Sequence, residues 1–254
     1  YFEGFQGIAP DADDLGLALQ LISRIPDTAI HVETLAWPIE VLVRNTSPEG
    51  EIPVWLEQHL REPVVQGAIQ WRGSRCLAVA ANAIIGLLEA RVPLPAGYLD
   101  RAIHWITSTW RADGLRAVYF YGLSYVRFVL VRLADVAEGQ ALDSRVFQQL
   151  RCVARDIEEE IAASVNDDGG FGGIIDTACH LAALACGRRE RFDPWPIIAF
   201  LASRQDHDGL WAAEPLYPTP GKDYAPGAHG ARTITTALCL YALASTRRRL
   251  NARS

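Results

Sequence analysis

Methionine is absent from all 254 residues, and lysine occurs once, at Lys222. Cysteine is sparse: Cys76, Cys152, Cys179, Cys186 and Cys239 are odd in number and scattered. Most fall in apolar helical runs, where a free thiol behaves as a small hydrophobe. That argues against a disulfide framework or a cysteine metal cluster, and for a reducing, cytoplasmic setting. Long apolar runs are missing too. The longest, Cys76 to Ala90, is short for a membrane span and begins beside Arg75, so no transmembrane segment is expected. No stretch reads as a secretory signal. The chain opens at Tyr1 rather than at methionine, so a further segment upstream of Tyr1 is expected. Net charge is −6 and the pI about 5.5, which gives little attraction for a nucleic-acid backbone.

What is present is a globular composition, 50% hydrophobic and 21% charged, at a length that suits one large domain. Alternating runs bounded by hairpin turns are scarce. Helical runs dominate, with apolar residues at spacings of three and four. They cover Asp14 to Ile25, Trp37 to Arg44, Arg75 to Ala90, Leu99 to Thr109 and Leu123 to Val136. They continue over Ser144 to Ser164, Asp176 to Ala185, Pro196 to Arg204 and Thr233 to Arg248. The pattern predicts an all-α chain of about ten helices with no long polar linker.

Four acidic–glycine turns close apolar helices: Glu49-Gly50, Asp113-Gly114, Asp168-Gly169 and Asp208-Gly209. A large residue follows each closely, and the turns lie roughly 40 to 60 residues apart, a spacing that predicts stacked helix hairpins. The last turn carries Gln205-x-x-x-Gly209-x-Trp211. A glutamine can satisfy backbone groups at a helix end while the ring packs over it, which braces a repeat without doing chemistry. Near the start stands Pro10-Asp11-Ala12-Asp13-Asp14, opening a helix. Such acids are ordinary capping residues. Crowded and buried, they are also a way to keep a carboxyl protonated at neutral pH.

The Gln205-to-Trp211 pattern resembles the QW motif of squalene–hopene and oxidosqualene cyclases. Asp11-Ala12-Asp13-Asp14 looks like the DxDD motif of class II terpene cyclases, and it precedes all four turns, as it does in that family. The resemblance covers essentially the whole chain. It implies one α/α toroid of helix hairpins over residues 1–254, like the terpene cyclase beta-domain. It also implies an isoprenoid substrate cyclised through carbocations after protonation by Asp13, with Asp11 and Asp14 tuning the acid. By the same resemblance Asn82 would stand beside the acid, where squalene–hopene cyclases carry a histidine. Leu15 departs from the family, which usually continues the motif with Thr or Ser.

Carbocations need aromatic walls and a dry pocket. Tyr119, Phe120, Tyr121 and Tyr125 form the best candidate wall, with Trp37 and Trp71 as further rings; a large core uses such rings too. A Pro/Gly loop from Leu216 to Arg232 holds Lys222 and Arg232, cations that would hold a diphosphate. Mg²⁺ would then bridge the phosphates, and otherwise no cofactor is expected. Relatives pair this domain with a second helical domain, so a second domain or partner would complete the pocket. A greasy substrate also suits peripheral membrane contact, though no amphipathic helix in the sequence is distinctive enough to mark it.

Two other function classes stay open. One is a non-catalytic toroid that binds a prenyl chain or a protein. The other is a carbohydrate-active toroid, which needs a second acid such as Asp176 or Asp223 facing Asp13. A zinc site at Asp176, Cys179 and His180 is disfavoured, because Cys179 and His180 project differently from one helix.

Overall fold

The computed structural model describes residues 11–25, 35–56, 75–113, 121–140, 144–187, 192–216 and 230–252. These residues hold nine helices and no strand longer than an isolated bridge. They form two compact units, residues 1–119 with 139–147 and residues 120–138 with 148–254.

The first unit contains α1 (Ala12–Ile22), α2 (Ala36–Asn45), α3 (Leu77–Glu89) and α4 (Tyr98–Asp113). α3 is buried at twelve of its thirteen residues, the signature of a helix packed on all sides. It lies against α1 and α4. α4 is amphipathic, burying Tyr98, Ala102, Ile103, Ile106 and Thr107 along one stripe.

The second unit contains α5 (Leu123–Gly139), α7 (Ile174–Cys186), α8 (Trp195–Ser203) and α9 (Arg232–Asn251). Most of α6 (Arg145–Ala163) belongs here as well. α7 packs on α8 and α9 and is buried along most of its length. α6 buries Leu150, Val153, Ile157 and Ile161 together with Glu158, and leaves Asp156, Glu159 and Glu160 outside.

The nine helices fall within a few residues of the runs the periodicity predicts. The turns repeat in atomic detail. Ser47, Asn166 and Asp206 each accept a bond from the glycine three residues on, every time at 2.9 Å. Each also donates its own N–H to the carbonyl four residues on, at 2.9, 3.0 and 2.8 Å. Gly50, Gly169 and Gly209 take φ of 97°, 82° and 81°, where a Cβ is strained. α4 runs through Asp113, and Gly114 lies outside the described residues.

The last turn shows why its residues recur together. Gln205 Nε2 donates to Gly209 O at 2.7 Å and closes the loop. Trp211 is fully buried and its indole N–H donates to Leu201 O at 2.7 Å, at the end of α8. Phe171 and Ile52 stand at the same position after the other two described turns, and Ile52 is buried.

Candidate functional site

The start of α1 is fixed from two sides. After the Gly50 turn the chain runs extended, burying Ile52, Val54 and Leu56 on alternate positions. Val54 O accepts the Ala12 N–H at 2.9 Å, and Asp11 pairs in a bridge with Trp55. Asp11 is the N-cap of α1, its Oδ1 accepting the Asp13 N–H at 2.7 Å. Two of the helix's open N–H groups are thereby satisfied.

One step further, Asp13 points inward and is 5% exposed. Asn82 of α3 is fully buried and donates its Nδ2–H to Asp13 Oδ1 at 2.8 Å. Two turns along α1, Gln20 Nε2 donates to the Asn82 carbonyl at 3.0 Å. Asn82 is thus held by α1 at both its side chain and its backbone. Asp14 points outward and is exposed.

Burial raises the Asp11 carboxyl from its ordinary 3.8 to about 7. The bond from the Asp13 N–H opposes that rise, and the negative charges of Asp13 and Asp14 add to it. The start of α1 is therefore a crowded set of carboxyls in which one member is held partly protonated near neutrality.

No family model matches the chain, and no curated protein matches it. Among solved structures it is similar to a protein from Actinoplanes at 18% identity, with a TM-score of 0.68. The match covers 97% of this chain and 78% of that one. The two share a fold. At that identity the likeness carries no activity from one chain to the other.

The remaining candidate residues divide by place. Tyr121 and Tyr125 belong to the second unit, where their rings stack at 4.3 Å, and Tyr125 meets Phe128 edge-on at 5.9 Å. Trp37 sits on α2 and is 51% exposed. Trp71, Tyr119, Phe120, Lys222 and Asp223 lie outside the described residues. Arg232 is engaged with the last turn: its Nη2 holds Asp206 at 2.8 Å and Asp208 at 3.0 Å, and its Nε–H donates to Trp211 O at 3.4 Å. Arg232 would have to release two carboxylates before it could hold a diphosphate. Asp176 accepts the Ser124 hydroxyl at 2.5 Å in the second unit. Among the described residues no group of three or more His, Cys, Asp or Glu is placed to hold a metal.

Sequence reasoning missed what sets the Asp13–Asn82 distance. Gly16 lies on α1 between Asp13 and Gln20, and a Cβ there would stand 2.6 Å from the Asn82 carbonyl oxygen. A Cβ on Gly86 of α3 would run into the Gly16 carbonyl in turn. The two helices touch backbone to backbone at this pair. The signal was present as two glycines inside helical runs, residues that otherwise weaken a helix.

Proposed function

We propose that the chain is a class II-type isoprenoid cyclase built on an α/α toroid, with Asp13 as its acid. One observation carries the reading: a carboxyl 5% exposed at the head of α1, bonded by the neutral donor Asn82 at 2.8 Å inside a cluster of three aspartates. A toroid is favoured by the packing of α1 on α3 and of α7 on α9, closer in each case than the packing on the intervening helix. It is also favoured by helices buried all round, α3 and α7, followed by amphipathic or peripheral ones.

The chemistry follows from the donor set. Asn82 donates to Asp13 Oδ1, so the proton used in the reaction would be carried on Oδ2 once Asp13 is protonated. The π pair of an isoprenoid alkene forms a C–H bond with that proton, and the O–H pair stays on the carboxylate. The Asn82 N–H stabilises the carboxylate that results, and its neutrality adds no positive charge beside the new carbocation. The next alkene closes a ring on the cation, and loss of a proton ends the sequence. If the substrate is a diphosphate, Mg²⁺ would arrive with it as part of the substrate. A cytoplasmic protein that meets its greasy substrate at a membrane surface fits this chemistry.

A second reading is a non-catalytic toroid that binds a prenyl chain or a partner protein. Leu15 favours it, because this residue packs in the core at a place where the cyclases carry a hydroxyl. Product analysis separates the two. The protein and its Asp13→Asn variant are incubated with farnesyl diphosphate, geranylgeranyl diphosphate and squalene, with and without Mg²⁺. Extracts then go to gas chromatography–mass spectrometry after phosphatase treatment. A cyclic product from the wild type alone is the expected result. Product from both proteins removes Asp13 as the acid, and product from neither favours the binding toroid.

A further inference from the structure

The second unit holds another concentration of buried polar atoms, on helices that carry none of Asp11, Asp13 and Asp14. α5 contributes Ser124 and Arg127, three residues apart, and α7 contributes Asp176 and His180, four apart. Those spacings put each pair on one face of its helix. The Ser124 hydroxyl donates to Asp176 Oδ1 at 2.5 Å and ties the faces together.

His180 is 7% exposed, and neither of its ring nitrogens has a hydrogen-bond partner among the described residues. The Phe171 ring meets it edge-on at 4.6 Å and offers no polar atom. Arg127 Nε is likewise buried without a partner, although its Nη2 holds Glu160 at 2.7 Å. A buried polar group left unpaired is a net cost to the fold. Three such atoms call for an occupant.

We infer that His180, Arg127 and Asp176 enclose a binding site for a neutral hydroxyl group. The chemistry of the atoms selects that ligand. A neutral imidazole offers one donor and one acceptor, Arg127 Nε offers a donor, and Asp176 offers an acceptor. The complement must both give and take a hydrogen bond. A carboxylate cannot give one, and an ammonium cannot take one. Burial above all, then the charge of Arg127, lowers His180 from 6.5 to about 4, with Asp176 opposing, so the ring keeps its acceptor at neutral pH. The adjoining Cys179 thiol is pushed up by burial and stays protonated.

Two sources supply a hydroxyl, an ordered water and an alcohol ligand. The test is nitrogen NMR on the full chain with labelled histidine, using His180→Phe to assign the His180 signals among the six histidines. Geraniol and 1-butanol are titrated against the hydrocarbon myrcene. Saturable movement of the His180 signals with an alcohol, and not with myrcene, identifies an alcohol site. A nuclear Overhauser contact from the ring N–H to a long-lived water, with no alcohol response, identifies a water site. Neither signal in the wild-type protein overturns the inference, whatever the behaviour of the variant. A folded His180→Phe that melts higher than wild type also overturns it, because removing truly unpaired nitrogens stabilises. The site does not depend on Asp13, so an inactive protein with a responsive His180 leaves it standing.

Discussion

Asp11 is half-buried and His180 buried, and desolvation drives the two groups in opposite directions along the pH scale. Asp11 goes up, from 3.8 to about 7. Between those values the folded chain holds a proton that the unfolded chain has lost. Its contribution is complete below pH 3.8 and is lost as pH rises through 7, by at most about 1.4 kcal/mol per pH unit. His180 goes down, from 6.5 to about 4. There the unfolded chain holds the extra proton, so stability is lost as pH falls from 6.5 through 4. The two slopes oppose each other in the wild type between about pH 4 and 6.5. Asp11→Asn keeps the cap acceptor and removes one slope, so its stability should rise with pH across that window. His180→Phe removes the other, so its stability should fall with pH. Urea unfolding at pH 4, 5, 6 and 7 reads both. Asn82→Leu leaves Asp13 Oδ1 without its Nδ2–H donor and should cost about 1.5–3 kcal/mol in the same assay. Asp14→Asn changes an exposed side chain and should stay within about 0.5 kcal/mol of wild type.

At the scale of elements, the crossing of α1 and α3 is made by absent side chains. Gly16→Ala places a methyl against the Asn82 carbonyl and Ala83 backbone, which cannot rotate away as a side chain can. The helices must part, which should cost about 1–3 kcal/mol and lengthen the Asp13–Asn82 bond. Gly139→Ala, at the end of α5 with open space around it, is the control and should be near neutral in thermal melting. The repeated turns give a second comparison. Gly169 and Gly209 have nearly the same φ, 82° and 81°. Alanine at Gly209 meets only Gln205 Nε2, at an ordinary 3.9 Å, so it should cost about 1–2 kcal/mol of left-handed strain. Alanine at Gly169 also strikes the Pro196 backbone, so its melting temperature should fall further. Arg232 shows how an element can claim a residue that looks available in the sequence. Its guanidinium braces the turn beside Trp211, and the same bonds hold the Asp208 carboxyl below the usual carboxylate range. Arg232→Gln should loosen this turn before it affects any ligand.

Across the whole molecule, the Asp13 carboxyl and the stacked rings of Tyr121 and Tyr125 come from different compact units. On the proposed cyclase reading, activity turns on Asp13. Asp13→Asn should abolish cyclic product. Asn82→Leu should lower turnover with little change in KM, because in that reading the Asn82 N–H stabilises the carboxylate left on Asp13. Steady-state kinetics on the substrate found by product analysis makes that comparison.

Helix positions were legible in the amino-acid order because burial of one face every three or four residues is a local, periodic demand. The head of α1 was legible for a related reason, since a cap is settled within a few residues of Asp11. The repeat was legible because each turn needs its own glycine at positive φ. What the order alone did not determine is which distant residues meet. Gly16 and Gly86 touch, Gln20 reaches the Asn82 carbonyl, and Ser124 finds Asp176, although dozens of residues separate each pair. His180 reads in the sequence as one more polar residue on an apolar helix. Only packing decides whether its nitrogens find partners, because desolvation is set by everything that surrounds a side chain rather than by its neighbours along the chain.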